Sequence, residues 1–425
     1  MAIQSGAISP NQRPRHRLAL ARPSPAVLLL AAGVALSGCS QWHATAATFS
    51  PTFSPTISPL ISPTVSPLTT PLVTPGETPL VQSVGKFHLT GSMGNARGGN
   101  LAIRLNDGHV LIVGGGGPMT IIWPELYDPA TGEFAPTGKI SNTLYDAQTA
   151  TLLQDGRVLI VDFPAAELYD PRTSLFKPTG SMLADSTDAS GPYNVRPYGY
   201  SGLTATLLAD GRVLMTDASD GSTRESDPGQ LYDPRTGTFQ LVSTVQGGAY
   251  GDTATLLQDG RVLIAGGREG QASLYDPKTG LLSSIGPMAP VRYGHTATLL
   301  KDGRVLLVGG TPDSGGCLSS AELFDPRTDK FSPTGALLPS GALGPTDSPM
   351  PYCGRGTALL EDGRVFVAGW DSAQLYDPRT GEFSAAGVMT TARFGCSVTL
   401  LKDGRVLLAG GAGSGILASA EIYTP

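Results

Sequence analysis

The sequence predicts an all-β fold, a seven-bladed β-propeller with four-stranded blades, and two repeated phrases are the main evidence. A Leu-Leu-x-Asp-Gly-Arg-Val-Leu type hairpin recurs seven times at intervals of 48, 55, 49, 43, 60 and 41 residues, at Asp107, Asp155, Asp210, Asp259, Asp302, Asp362 and Asp403. A Glu-Leu-Tyr-Asp-Pro-x-Thr-Gly type turn recurs at Tyr127, Tyr169, Tyr232, Tyr275, Phe324, Tyr376 and Tyr423. A period of about fifty residues, built only from strand and turn signals, is typical of an array of small sheets.

The unit is clearest between residues 293 and 333. Residues 293–300 form a first strand, and an Asp-Gly turn leads to a second strand at 304–310. A third strand at 320–324 is followed by an Asp-Pro turn and a fourth strand at 331–333. Asp opens such turns by bonding to its own backbone, and Pro presets φ. Each repeat therefore predicts one four-stranded antiparallel blade.

The ends of the chain predict how the ring closes. The last repeat stops at Tyr423-Thr424-Pro425, before its fourth strand, and residues 86–93 match the fourth-strand phrases at 133–138 and 330–335. We therefore expect residues 86–90 to complete the seventh blade and to protect both edge strands, with Phe87 in the place of Phe134 or Phe331.

Residues 1–38 are predicted to be a lipoprotein signal peptide. Four arginines and no acidic residue precede an apolar run at residues 26–36, which is too short to span a bilayer. The run ends in Leu36-Ser37-Gly38-Cys39, which resembles the lipobox of bacterial lipoproteins and implies lipidation of Cys39. A secretory signal without lipidation is the alternative.

Residues 39–85 are predicted to be a disordered, Pro-rich spacer. Proline recurs every fourth residue after Ser or Thr, at Pro51, Pro55, Pro59, Pro63, Pro67, Pro71, Pro75 and Pro79. Proline removes a backbone donor and forces its predecessor toward extended geometry. We expect a polyproline-II-like stalk, with an adhesive role for the tract itself as the alternative.

Residues 86–425 resemble the kelch repeats of the galactose oxidase-like propellers. The match consists of Arg292-x-Gly-His before the first strand, Gly-Gly after the second and Tyr-Asp-Pro after the third. Gly-Gly is missing from the second, third and sixth repeats, and Phe or Leu replaces the usual fourth-strand Trp. The resemblance implies a propeller, and it makes an enzyme such as an oxidase or a sugar isomerase an alternative to a binding module.

Chain direction divides the predicted propeller into two faces. The Asp-Gly and Asp-Pro turns, which barely vary, lie on the bottom face. The irregular segments at residues 183–198, 217–230, 311–319 and 337–352 lie on the top face. Variable loops on a rigid repeat frame usually carry binding function, although drift without function gives the same pattern.

The top rim supplies the candidate binding residues. The residues ten positions before the Asp-Gly aspartates form a ring at this rim, and six of them are candidates: Arg97, Tyr145, Tyr200, Arg292, Tyr352 and Arg393. Tyr250 lies beside the ring, and His295 lies three positions further in. Arg and Tyr suit carboxylates, sugars and protein side chains. In kelch-like repeats the Arg commonly braces neighbouring blades, so bracing and binding both stay open.

The sequence predicts no cofactor and no metal site. The copper site of galactose oxidase needs two His, two Tyr and a cross-linked Cys, whereas the top face of this chain supplies one imidazole, His295. We expect a disulfide between Cys317 and Cys353, both in top loops, in an oxidising compartment, with Cys396 free.

The function predicted from the sequence is non-enzymatic. A net charge of −6 disfavours nucleic acid as a partner. We expect a monomeric lipoprotein of the bacterial cell envelope, anchored to a membrane through Cys39, that binds a protein or glycan through its top face. A sugar-modifying enzyme and a structural envelope protein are the alternatives.

Overall fold

The computed structural model describes residues 85–117, 123–141, 147–183, 203–216, 228–246, 252–267, 270–312, 314–338 and 356–425. These ranges belong to a compact unit at Glu77–Pro425. The predicted signal peptide and the spacer up to residue 84 lie outside them. The described ranges contain no helix long and apolar enough to span a membrane.

The described secondary structure consists of 28 β-strands. In chain order they are β1 Lys86–Ser92, β2 Leu101–Arg104, β3 Val110–Val113, β4 Glu125–Asp128, β5 Glu133–Pro136, β6 Thr149–Leu152, β7 Val158–Asp162, β8 Ala165–Asp170, β9 Leu175–Pro178, β10 Thr204–Leu207, β11 Val213–Thr216, β12 Pro228–Asp233, β13 Thr238–Gln246 and β14 Thr253–Leu256. They continue as β15 Val262–Gly266, β16 Gln271–Asp276, β17 Leu281–Ser284, β18 Thr296–Leu299, β19 Val305–Val308, β20 Ser320–Asp325, β21 Lys330–Ala336, β22 Thr357–Leu359, β23 Val365–Ala368, β24 Ser372–Asp377, β25 Glu382–Val388, β26 Ser397–Leu400, β27 Val406–Ala409 and β28 Ser419–Thr424.

The strands form seven four-stranded antiparallel sheets, which are the blades of a β-propeller. Blades 1 to 6 each use four consecutive strands, from β2–β5 to β22–β25. Blade 7 has the order β1-β28-β27-β26, so the N-terminal strand supplies its outer edge. The first strands of consecutive blades lie side by side around the ring, and β26 of blade 7 lies against β2 of blade 1. The predicted fold class, blade number and closing strand are confirmed.

Local turn chemistry explains why each repeat becomes a blade. In blade 5 the Asp302 carboxylate accepts the backbone N–H of Arg304 at 3.0 Å, and Gly303 takes φ 89°. A β-carbon strains that φ, so the turn favours Gly. The Asp325 carboxylate accepts the N–H of Arg327 in the same way at 3.0 Å. Both turns therefore owe their geometry to an Asp that bonds two residues ahead.

The apolar core lies between the blades. Seven clusters of buried side chains are present among the described residues, each shared by two adjacent blades. One example joins Leu263 and Ala265 of blade 4 to Val305 and Leu307 of blade 5. The second strand of each blade is buried along its length because both of its faces meet a neighbouring blade.

A Thr-Gly pair after the fourth strand joins several blades to the next. The Thr334 hydroxyl lies 2.9 Å from the Tyr376 hydroxyl of blade 6. The N–H of Gly335 donates to the Gly381 carbonyl at 2.8 Å, and a β-carbon on Gly335 would lie 2.2 Å from that oxygen. The same Thr–Tyr pair joins Thr90 to Tyr127, Thr137 to Tyr169 and Thr179 to Tyr232. Blades approach closely at these points, and only Gly fits there.

Strand β1 closes the ring by pairing with β28 and by the aromatic contacts of Phe87. Phe87 pairs in register with Tyr423, and the two ring centroids lie 5.1 Å apart. Phe87 also lies 6.2 Å from the ring of Phe366 in blade 6. Phe134 and Phe331 make the same contact with Tyr127 and Phe324, so the predicted equivalence of the three phenylalanines is confirmed.

Ring closure by β1 predicts a large difference between two neighbouring side chains. We expect Phe87→Ala to lower the free energy of unfolding by about 3 kcal/mol, because it empties the contact with Tyr423 and Phe366. Leu89 lies on the same strand and is 57% exposed, so Leu89→Ala should change the free energy of unfolding by less than about 0.5 kcal/mol. Urea unfolding of both variants is the measurement, and equal losses would mean that β1 does not close the ring through Phe87.

The Thr–Tyr pairs predict opposite effects for two tyrosines. Tyr376→Phe removes the hydrogen bond to Thr334 and should cost about 1 kcal/mol. The Tyr423 hydroxyl is buried without a hydrogen-bond partner, and the position equivalent to Thr334 in blade 6 is the buried Ala386. We therefore expect Tyr423→Phe to be neutral or stabilising. Thermal unfolding distinguishes the two variants, and a loss at Tyr423 as large as at Tyr376 would contradict this reading.

Candidate binding face

The strand directions confirm the division into two faces. The bottom face carries the turns from first to second strand and from third to fourth strand. The top face carries the loops from second to third strand and the connections between blades. The described candidate binding residues, Arg97, Arg292, His295 and Arg393, belong to the top face. Tyr145, Tyr200, Tyr250 and Tyr352 lie outside the described residues.

The bottom face consists of short-range ion pairs. Arginines pair with the Asp two residues earlier in the Asp-Gly turns at Asp155, Asp210, Asp259, Asp302, Asp362 and Asp403 and in the Asp-Pro turns at Asp170, Asp233, Asp325 and Asp377. The Arg327 side chain lowers the pKa of Asp325 to about 2 by hydrogen bonding. Arg405 also donates to the Pro129 carbonyl of the next blade at 2.8 Å. These charges neutralise each other and hold the turns.

The rim arginines are buried clasps. Arg393 donates to the carbonyls of Gly410 and Ser419 at 2.9 and 2.8 Å and to the Glu421 carboxylate at 2.7 Å. Glu421 also accepts the backbone N–H groups of Thr390 and Thr391 at 2.8 and 2.9 Å. The clasp ties the connection from blade 6 to the second and third strands of blade 7.

Two further clasps repeat this arrangement. In blade 5, Arg292 donates to the carbonyls of Gly309 and Ser320 at 2.8 and 2.9 Å and pairs with Glu322 at 3.2 Å. In blade 1, Arg97 pairs with Glu125 at 2.5 Å. All three arginine side chains are 0% exposed. Of the two roles left open by the sequence, the geometry of Arg97, Arg292 and Arg393 is that of braces, and these guanidinium groups are not presented to a ligand.

Burial and pairing act in opposite directions on the charges of the clasps. Burial lowers the pKa of Arg97 and of Arg292 despite the neighbouring carboxylates. Burial also raises the pKa of Glu322, and Ala289 and Arg292 offset it only in part. At Glu421 burial is outweighed by the hydrogen bonds from Thr390 and Arg393, so its pKa is lowered. The blade 7 clasp thus stabilises its carboxylate better than the blade 5 clasp does.

The repeats carry a signal for these clasps that the sequence reasoning missed. The three repeats that have Arg at the rim, blades 1, 5 and 7, are also repeats in which Glu precedes the Leu-Tyr-Asp type phrase. Blades 3 and 6 have Gln there: Gln230 accepts the N–H of Leu183 and Gln374 that of Leu338, each at 2.9 Å. The amide keeps the bond to the connection between blades without adding a buried charge. Blade 2, with Glu167 and no Arg at the rim, departs from the pattern.

The ring just inside the rim is also used for contacts between blades. The His295 Nε2 lies 3.0 Å from the Thr253 hydroxyl of blade 4. Burial, reinforced by the charge of Arg292, lowers the pKa of His295 to about 3, so its imidazole is neutral. The Asn100 amide donates to the Ser397 hydroxyl at 3.0 Å. His295, predicted as a binding residue, is 5% exposed and braces two blades.

Two of the four cysteines, Cys317 and Cys396, lie in the described ranges. Cys396 is free, and burial raises the pKa of its thiol to about 11. Cys317 is disulfide-bonded. Cys39 and Cys353 lie outside the described residues, so the pairing of Cys317 with Cys353 and the lipidation of Cys39 stay predictions.

Exposed aromatic side chains are the features of the top face that the sequence reasoning overlooked. Trp123 is 47% exposed, Phe163 38% and Phe394 36%, and the half-buried Trp370 stacks on Phe394. These residues lie on blades 1, 2, 6 and 7, which are consecutive around the ring. Aromatic side chains are enriched in interfaces because they bury a large area at low entropic cost.

Similar solved structures share the fold. A fungal alcohol oxidase of the AA5 family, in complex with copper, matches with a TM-score of 0.62 at 17% identity, covering 80% of this chain and 76% of that one. A streptogramin B lyase matches with a TM-score of 0.55 at 12% identity, covering 80% and 97%. An inactive virginiamycin B lyase from Staphylococcus aureus, with quinupristin, matches with a TM-score of 0.57 at 10% identity, covering 80% and 99%. No family model and no curated protein matches the chain.

The residues of the described ranges do not fit a copper centre like that of the oxidase. Within these ranges, no three His, Cys, Asp or Glu side chains converge as metal ligands do. The one imidazole of the inner ring already bonds to Thr253 through Nε2.

The blade 7 clasp predicts a non-additive pair of substitutions. Arg393→Met should lower the free energy of unfolding by about 3–5 kcal/mol, because it leaves the Glu421 carboxylate buried without a counter-charge. Adding Glu421→Gln should restore much of the loss, since an amide serves this position in blades 3 and 6.

The matched control is Arg379→Met, which removes an arginine whose side chain is 85% exposed and should cost less than about 1 kcal/mol. Urea unfolding measures all three variants. A double variant no more stable than Arg393→Met would show that the buried charge is not the cause of the loss.

Proposed function

We propose that this protein is a lipoprotein of the bacterial cell envelope whose kelch-like propeller binds a protein or glycan through its top face. The observation that carries the proposal is the difference between the two faces. Ten of the described arginines of the bottom face are used in ion pairs within its turns, as at Asp325–Arg327, whereas the top face exposes Trp123 and Phe394. Solvent-exposed aromatic side chains grouped on one side of a rigid frame are a frequent property of recognition surfaces.

The course of β1 supports the choice of the top face. Lys86 pairs with Thr424 at the bottom end of blade 7, and Ser92 pairs with Ser419 at the top end. The first described strand therefore begins at the bottom face, opposite the proposed binding surface.

The similar structures do not choose between binding and catalysis. At 10–17% identity they support the propeller alone, and the printed activities are those of other proteins. A sugar-modifying enzyme and a structural envelope protein stay the alternatives. Binding is preferred because the described part of the top face offers exposed aromatic rings, whereas its arginines and His295 are engaged between blades.

The binding face is tested by blocking one side of the full-length chain. Ser414→Cys on the top face and Ala130→Cys on the bottom face both replace exposed residues. Each variant is coupled to a maleimide polyethylene glycol and applied to a glycan array and to a pull-down from envelope extracts. We expect the modified Ser414→Cys protein to lose a ligand that the modified Ala130→Cys protein retains. Loss from the bottom label alone would overturn the proposal.

The location is tested separately in a bacterial host. Cys39→Ser should move the protein from the membrane fraction to the soluble fraction, whereas Cys396→Ser should not. One acyl chain alone binds a membrane weakly, so the multiple acylation typical of lipoproteins is implied. Unchanged membrane association of Cys39→Ser would refute the anchor but not the binding face.

A further inference from the structure

Trp370 and Phe394 form a stacked pair on the top face where blades 6 and 7 meet. Their ring centroids lie 5.4 Å apart with an angle of 20° between the planes. Trp370 follows the second strand of blade 6, and Phe394 precedes the first strand of blade 7. Phe394 is 36% exposed, and Trp370 is half-buried. We call these two rings the aromatic platform.

The fold does not require a large side chain at either position. The position of Phe394 is occupied by Gly98 in blade 1 and by Tyr293 in blade 5, and the same backbone bridge forms in both, to Gly116 and to Thr311 in place of Ala412. Thus the bridge and the clasp behind it form without a ring. An exposed phenylalanine that packing does not require is a candidate for recognition.

Trp370 stands where blades 5 and 7 need a glycine, and Phe163 stands at the same position in blade 2. Gly310 and Gly411 hold the second Gly of Gly-Gly with φ 88° and 94°, and a β-carbon there would lie 2.9 and 2.7 Å from a backbone oxygen. Blade 6 avoids this geometry with a short turn, in which the N–H of Gly369 donates to the Ser372 carbonyl at 2.8 Å. The loop between the second and third strands of blade 6 therefore has a different backbone course, which accommodates the Trp370 side chain.

Hydrogen bonds fix the platform before any ligand arrives. The Trp370 carbonyl accepts the N–H of Arg393 at 2.7 Å. Phe394 exchanges two backbone hydrogen bonds with Ala412, each 2.9 Å long. Arg393 itself is held in the buried clasp with Glu421. A surface held this way loses little conformational entropy on binding.

The charged groups that adjoin the platform in the chain indicate which ligand it fits. Asp371 follows Trp370, its side chain is partly exposed, and it accepts a hydrogen bond from the Ser372 hydroxyl at 3.1 Å through one carboxylate oxygen. Arg393, which precedes Phe394, is buried and neutralised by Glu421. A partly exposed carboxylate that follows Trp370 in the chain disfavours an anionic ligand nearby and can accept hydroxyl hydrogen bonds.

We propose that the aromatic platform binds an uncharged pyranose ring of a glycan. The C–H face of the sugar packs on the exposed ring, and its hydroxyl groups donate to the Asp371 carboxylate. This inference rests on the proposed function and narrows it from a protein or glycan to a neutral glycan. It also places the ligand at the junction of blades 6 and 7, away from the inner ring at His295.

The test uses the full-length chain and two glycan sets, neutral hexose oligosaccharides and oligosaccharides that carry sialic or glucuronic acid. Titration calorimetry measures affinity, and tryptophan emission reports stacking on the platform. We expect binding of a neutral oligosaccharide that Phe394→Ala weakens by about tenfold or more and that Phe394→Tyr largely retains. Trp370→Phe should abolish most of the emission change with a smaller loss of affinity, and Asp371→Asn should weaken binding.

Leu281→Ala, which removes an exposed apolar side chain from the outer strand of blade 4, is the matched control and should bind as the wild-type chain does. Thermal unfolding of each variant shows that it is folded. Neutral-glycan binding that survives Phe394→Ala and Asp371→Asn overturns the platform but not the proposed function. A wild-type chain that binds only acidic glycans or a protein does the same. A wild-type chain that binds neither glycan nor protein overturns both.

Discussion

The structure depends on one constraint, which is that no blade can bury its own apolar faces. The second strand of every blade is apolar on both sides, and each side reaches its core only against a neighbouring blade. Seven shared cores therefore need seven blades and a closed ring. Because the C-terminal blade lacks an outer strand of its own, residues at the opposite end of the chain supply it. Closure then places Phe87 in the aromatic contact that a local fourth strand supplies in other blades.

This constraint also separates the two faces. The Asp-Gly and Asp-Pro turns join strands of one blade over a fixed distance, so their chemistry repeats. The top connections must cross from the outside of one blade to the inside of the next. In every blade except blade 4, which has Ser273 at this position, Glu or Gln of the third strand accepts a backbone N–H group of the connection and anchors it. Beyond that anchor the blades do not constrain the length of a connection. Function on this fold is therefore expected where the anchors end and not where the turns repeat.

The fold could be predicted from the sequence because its signals are local and repeated seven times. The Asp-Gly hairpin, the Asp-Pro turn and the displaced 86–93 phrase each specify geometry without reference to a partner far along the chain. The candidate site could be predicted less well. In the sequence alone, the three rim arginines have the properties of ligand-binding side chains. The structure shows that they are clasps, because each one pairs with a buried Glu of the third strand: Arg97 with Glu125, Arg292 with Glu322 and Arg393 with Glu421. A comparison of the repeats gives part of this pairing. A rim Arg occurs together with a third-strand Glu in blades 1, 5 and 7, and a rim Tyr occurs together with a third-strand Gln in blades 3 and 6.

Departures from the repeat are more informative about function than the residue types that chemistry favours. Arginine at the rim recurs in three blades and pairs each time with a buried Glu of the third strand, as a structural residue does. Trp370 and Phe163 stand where Gly310 and Gly411 are constrained by close backbone contacts, and the turn of blade 6 differs accordingly. Trp370 remains partly exposed on the top face. The proposed glycan would give this side chain a contact outside the propeller.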